Sequence, residues 1–173
     1  MSDNTPTLIP LDNVDPALVE TLLDRAFGPD RHQRTAYKVR DGVDYLPALS
    51  FAALDGTELL VGSIQVWPVA LTDSKGRAHP MLMVGPVAVI PERQGEGFGQ
   101  ALMAGMLSAL DPRADLPQVL IGDADYYGRF FGFEAAPTQK WDLPGEWDRA
   151  RLLVRCTNPA VLPVEGVLGP WLG

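Results

Sequence analysis

The sequence predicts a layered α/β or α+β domain, and three observations carry that prediction. Segments with apolar residues at helical spacing alternate along the chain with short runs of strand formers. Two of those runs flank Asp55-Gly56, a hairpin signal. A third run, Met81 to Ile90, is nearly all apolar, as a strand buried on both faces would be, and a glycine-rich turn and an amphipathic segment follow it.

Each element can be justified in order. Thr7 to Leu11 reads as a short strand. Asp15-Pro16 reads as an N-cap followed by proline at the first helical position. Leu18, Val19, Leu22, Leu23 and Phe27 then fall on one helical face, and Gly28-Pro29 stops the helix. Arg31 to Arg40 is polar and basic, and is expected as a short surface helix. Leu49 to Leu54 and Leu59 to Leu71 are the hairpin strands, the second rich in Val, Ile and Trp. Asp73 to Gly76 is a turn before the strand Met81 to Ile90, which Pro91 ends. Beyond the Gly95 to Gly99 turn, a helix is expected from about Gln100 to Leu110. Val119 to Ile121 is a strand, and Ala124 to Phe131 a short helix stopped by Gly132. From about Glu134 the chain reads as short strands broken by prolines, clearest at Leu152 to Cys156. Val161 to Gly173 would cover a core edge or a dimer interface.

The 173 residues suit one domain, 1–173, with no internal repeat or linker. Hydrophobic residues are 46% and charged residues 21% of the chain, a globular balance. A net charge of -8 argues against nucleic acid as a general partner, because like charge repels phosphate. The lone Cys156 allows no internal disulfide and is expected in the core. Met1 to Pro10 lacks the basic and apolar blocks of a signal peptide. No apolar run reaches the about 18 residues of a membrane span. A soluble, cytoplasmic protein without a membrane partner is the expectation.

The sharpest motif is Pro91-Glu92-Arg93-Gln94-Gly95-Glu96-Gly97-Phe98-Gly99-Gln100. A buried strand, a glycine turn and a helix start in that order make a plausible pyrophosphate cradle. First-turn amides have no partner inside the helix, the helix dipole makes that end partly positive, and glycines allow close approach. A Walker loop would need Gly-Lys-Ser/Thr, and Gly99 is followed by Gln100-Ala101. A dinucleotide fingerprint would need glycine at position 100 or 102, which hold Gln100 and Leu102.

The pattern that fits is Gln-x-x-Gly-x-Gly, as Gln94, Gly97 and Gly99. Here the chain resembles the GNAT superfamily of N-acetyltransferases. The resemblance implies a strongly twisted mixed α/β sheet with helices on both faces and two splayed central parallel strands, Val84 to Val89 and Val119 to Asp123. It implies acetyl-CoA as acyl donor, with the main chain of Val87, Ala88 and Val89 along the pantetheine arm. Arg93, Gln94, Gly95, Glu96, Gly97, Phe98, Gly99 and Gln100 would wrap the pyrophosphate. Glu92 and Glu96 are expected to be solvated, with Glu96 turned outward.

Gly122 to Phe133 resembles the second signature of that family, a tyrosine on a short helix closed by Gly-Phe. The tyrosine would be the general acid toward the leaving thiolate. In the family it stands four residues before the glycine, whereas Tyr127 and Tyr126 stand five and six before Gly132. One extra residue in the Phe130-Phe131 pair would explain the difference. Tyr127 is the first candidate and Tyr126 the second. The Tyr-Tyr-x-Arg-Phe run and the Arg25-Ala26-Phe27-Gly28 helix end also resemble small bacterial predicted acetyltransferases within the superfamily.

An attacking amine must lose a proton, and the strand Met81 to Ile90 carries no acidic residue for that. Asp123 is the candidate base, although a helix cap is the favoured reading. His32 and His79 have no neighbours that suggest a base, and no cluster has metal-ligand spacing, so no metal is expected. Asp142, Glu146 and Asp148 among Trp141, Trp147 and Pro144 would line an acceptor site or, the favoured reading, form a solvated loop packed by its tryptophans. The expected activity is transfer of acetyl to the amine of a small molecule or peptide by direct attack in a ternary complex. The alternatives are transfer of another acyl group, and a non-catalytic acyl-CoA-binding or partner-binding domain on the same fold. A homodimer would be in keeping with the family.

Overall fold

In the computed structural model, which describes residues 6–172, eight strands and four helices form. They are β1 (Thr7–Pro10), α1 (Pro16–Phe27), α2 (Thr35–Val39), β2 (Phe51–Leu54), β3 (Leu60–Thr72) and β4 (Ala78–Val89). Then follow α3 (Phe98–Ala109), β5 (Gln118–Ile121), α4 (Ala124–Phe131), β6 (Lys140–Asp142), β7 (Leu152–Arg155) and β8 (Glu165–Pro170). The strands make one open mixed sheet of order β1-β2-β3-β4-β5-β7, with β8 beside both β3 and β6. The described residues fall into two compact units. The first takes the chain up to His32, then Tyr45–Val66 and Gly85–Asp111. The second takes Gln33–Asp44, Trp67–Val84 and the chain from Pro112. Both β3 and β4 run through the two units without a break.

In the first unit, strand alternation sorts side chains onto two helices. Ile9 and its partner Ala52 pack with Val19, Leu22 and Leu23 of α1. Leu8, opposite Ala53, lies on the other face against Gly105 of α3. The ladder slips between Ala53, opposite Gly62, and Leu54, opposite Leu60. That bulge turns Leu60 toward α1 while Gly62 stays under Leu102 of α3. Helix α1 starts as its sequence dictates, with the Asp15 carboxylate accepting from the Ala17 amide and Pro16 at the first position. Leu18, expected on the buried face, is 55% exposed, because the apolar stripe of α1 centres on Val19, Leu22 and Leu23.

Asp55-Gly56 does build the hairpin, but with a longer connection than a two-residue turn. The Glu58 amide donates to the Asp55 carbonyl, and Glu58 takes φ 64 where glycine is usual. In the second unit, Trp141 is fully buried beside Val69, Leu71, Met81, Val119, Leu152 and Leu168, and its indole N–H donates to the Pro163 carbonyl at 2.9 Å. Strand β8 pairs with Val69 to Thr72 of β3, so the C-terminal segment extends the sheet; Gly173 lies outside the described residues. Residues 1–5 of the polar N-terminal segment also lie outside them.

Three expectations are corrected. The basic segment does hold a short helix, α2, but it is not wholly on the surface, since Arg31, Val39 and Arg40 are buried. Arg31 is held by Glu20 and Asp24 of α1, and Arg40 lies 4.0 Å from the ring centres of both Tyr37 and Trp67. Cys156 follows β7, half-exposed, with its thiol near the Asn158 carbonyl. Helix α3 begins at Phe98, two residues before the expected start, because the glycine loop is already its cap.

Candidate active site

Strand β4 delivers the chain into the glycine loop. Its last residues alternate in direction: the Ala88 carbonyl points toward β3, 2.8 Å from where a Cβ on Gly62 would stand, and the Ile90 amide donates to Val61. The main chain of Val87 and Val89 therefore points away from β3. The Val89 carbonyl is met by the side-chain amide of Gln94 at 3.2 Å, so Gln94 fastens the loop to the strand end.

Pro91–Arg93 make one 3-10 turn, and the loop then passes Gly95 at φ 83 and Gly97 at φ 92. These left-handed angles require glycine, and a Cβ on either residue would meet nothing within 4 Å. The loop is thus open rather than packed at both positions. Gly97 is the N-cap of α3, and no side chain caps it. The first-turn amides of Phe98, Gly99 and Gln100 have no partner within the helix, and the dipole of a 12-residue helix stands behind them. Phe98 is 1% exposed, so its part in the loop is its amide and its anchorage.

Glu92 and Glu96 are exposed, as expected, and the charged residues of the loop are also paired. Glu92 bonds Arg25 of α1. Arg93 Nε donates to Glu96 at 3.0 Å and Arg93 Nη1 to Asp55 at 2.6 Å, while the guanidinium stands 5.0 Å from the Phe98 ring centre. Asp55, 6% exposed, also accepts from the Thr57 hydroxyl and amide at 2.8 Å and from the Leu59 amide at 3.0 Å. These bonds, the Thr57 hydroxyl first, hold its carboxyl well below the usual carboxylate range. The role of Asp55 was missed in the sequence, although Asp-Gly-Thr is a pattern in which the aspartate side chain caps its own turn.

In the second unit, β4 and β5 pair in parallel only at Leu82–Gln118 and Met83–Val119, whereas β5 continues against β7 to Ile121. Past β5, Asp123 accepts from the amides of Asp125 at 2.8 Å and Tyr126 at 3.1 Å, the cap that the sequence favoured. Helix α4 follows without a bulge. The Gly132 amide donates to Gly128 and the Phe133 amide to Tyr127, a regular C-terminal closure. The helix is regular through Phe130-Phe131, where the extra residue is expected.

The Tyr127 ring lies against Gly122, where a Cβ would come within 2.5 Å of its Cε2. Tyr126 meets it edge-on at 5.0 Å between centroids. Burial first, then the charge of Tyr126 and last that of Asp123, push the Tyr127 phenol above its ordinary value, with an opposing pull from Arg151 that exceeds the push from Asp123. It stays protonated at neutral pH, as a proton donor must.

Two of the acidic residues near the tryptophans are engaged locally. Asp142 pairs with Arg149, Asp148 caps the turn Arg149–Arg151, and Arg149 stands over the Trp147 ring. His79 pairs with Asp73 in the β3–β4 turn. Among the described residues no group of side chains could hold a metal ion, and no helix is long and apolar enough to cross a membrane. The loop residues Val87 to Gln100 are thus assembled in the first unit, and Asp123, Tyr126 and Tyr127 in the second.

Solved structures share this fold. A GNAT family N-acetyltransferase from Escherichia coli (YhbS), crystallised with CoA, is 24% identical at TM-score 0.69, over 99% of this chain and 91% of that one. A GNAT family acetyltransferase from Brucella melitensis, crystallised with acetyl-CoA, is 23% identical at TM-score 0.62, over 98% and 97%. PH1933 from Pyrococcus horikoshii is 19% identical at TM-score 0.56, over 89% and 99%. At these identities the likeness establishes the fold. No curated protein sequence matches the chain. The family described as Acetyltransferase (GNAT) domain matches residues 14–136, which include both the glycine loop and the Tyr126-Tyr127 helix. By that match the chain belongs to the GNAT family of acetyltransferases.

Proposed function

We propose that the protein is an N-acetyltransferase that moves the acetyl group of acetyl-CoA to the amine of a small molecule or peptide. The observation that carries the reading is the glycine loop, open at Gly95 and Gly97 and uncapped at the start of α3. The amides of Gly97 to Gln100 would hold the pyrophosphate, and the main chain of Val87 would hold the pantetheine arm. Support for the donor also comes from the CoA and acetyl-CoA bound to the two similar structures.

In this reading the amine nitrogen bonds the thioester carbonyl carbon, the C–S bond breaks, and Tyr127 gives its phenolic proton to the departing sulfur. Tyr126 is the second candidate for that step. Asp123 is engaged as the cap of α4, so the amine's proton is assigned to water. No cysteine acyl-enzyme is required, and Cys156 plays no part.

Calorimetric titration of acetyl-CoA tests the donor. Wild type is expected to bind, and Gly97→Glu to lose at least tenfold in affinity while still folded, since it puts a negative side chain where the phosphates belong. Release of free thiol, followed over a panel of amines, tests the chemistry. Tyr127→Phe is expected to lower kcat about 100-fold. Because the phenol is raised, the acid should be lost only as pH climbs past the ordinary phenol value near 10. Tight binding with no thiol release for any amine would instead mark a non-catalytic acyl-CoA-binding domain.

A further inference from the structure

We infer that Asp55 and Arg93 form a brace that positions the phosphate-binding loop, with Arg93 acting as a positioning residue and not as a phosphate ligand. The inference rests on the acetyl-CoA reading of that loop. Arg93 is the cation nearest the glycines in sequence, and the simple expectation is that it meets phosphate directly. Its guanidinium is otherwise engaged. Nη1 is 2.6 Å from an Asp55 oxygen, Nε is 3.0 Å from Glu96, and the group stands over the Phe98 ring.

Those contacts reach residues on both sides of Gly97. Glu96 precedes it and Phe98 follows it, and both are tied to one guanidinium. The guanidinium in turn is tied to Asp55, whose other oxygen is fixed by three donors from its own turn. Asp55 is thus a rigid anchor, Arg93 is the link, and the two residues flanking the left-handed glycine are what the link holds. The brace also pairs the Glu96 carboxylate, which unpaired would repel a pyrophosphate.

The signs of two substitutions separate a brace from a ligand. Asp55→Asn keeps an oxygen for Thr57 and Leu59 but removes the negative partner of Arg93. Arg93→Met keeps the Asp55 turn intact and removes the link. Calorimetry with acetyl-CoA on wild type, both variants and the double variant is the experiment. A brace predicts that each single variant raises Kd about tenfold at unchanged stoichiometry, the loss expected for a charge-assisted contact. The double variant should be no weaker than Arg93→Met alone, because both changes break the same link.

Unchanged or tighter binding by Asp55→Asn would overturn the brace, since freeing Arg93 would then have given the phosphate a ligand. Additive losses in the double variant would overturn it too. So would a fall in stoichiometry at wild-type Kd, which marks residues needed only for folding. Absence of binding by wild type would instead overturn the acetyl-CoA reading, and the brace with it.

Discussion

At the scale of single residues, the orientation of Tyr127 is set by what its neighbour lacks. Gly122 offers no side chain, and the ring occupies that space. Gly122→Ala would place a methyl 2.5 Å from Cε2, closer than real contacts come, so the ring must turn away. Such overpacking costs about 1–3 kcal/mol. We expect Gly122→Ala to lower both the melting temperature and the rate of thiol release. In a Tyr127→Ala background the same change should cost little stability. An equal cost in both backgrounds would show that the glycine serves the main chain and not the ring.

At the scale of elements, helix α4 shows what a cap contributes. The Asp123 carboxylate accepts from two first-turn amides, so Asp123→Ala should cost about 1 kcal/mol, seen as a few degrees in melting temperature. Asparagine caps nearly as well, so Asp123→Asn should recover most of that stability. If activity is lost in the asparagine variant while stability is kept, Asp123 is the base after all. Elements with local signals of this kind were legible in the sequence. Asp15-Pro16 and Gly28 bound α1, and Asp123 and Gly132 bound α4, because capping residues act within one turn of the ends they set. The glycine loop was legible for the same reason, as its φ values belong to residues adjacent in sequence. What depends on distant partners was not legible. Arg31 and Arg40 read as surface charges because the carboxylates and rings that bury them lie elsewhere in the chain. The pairing of Arg93 with Asp55 was hidden because Asp55 stands 38 residues earlier. Strand β8 was hard to read because two of its six residues are glycine and one is proline.

At the scale of the whole molecule, the two compact units are not two chain segments. Each is assembled from separate stretches, and β3 and β4 pass through both as continuous strands. Unfolding one unit alone would break both strands in mid-course. We therefore expect one cooperative unfolding transition. The distribution of chromophores allows a direct check. Trp67, Trp141, Trp147 and Trp171 all belong to the second unit, so tryptophan fluorescence reports that unit. The two long helices, α1 and α3, belong to the first, so far-ultraviolet circular dichroism at the helix band reports mostly that one. In a urea titration the two signals should share one midpoint and one slope. Saturating acetyl-CoA, bound through a loop in the first unit, should then shift both midpoints upward together, because a ligand of the native state stabilises all that unfolds with it. Separate midpoints, or a shift confined to the dichroism signal, would show that the continuous strands do not couple the units.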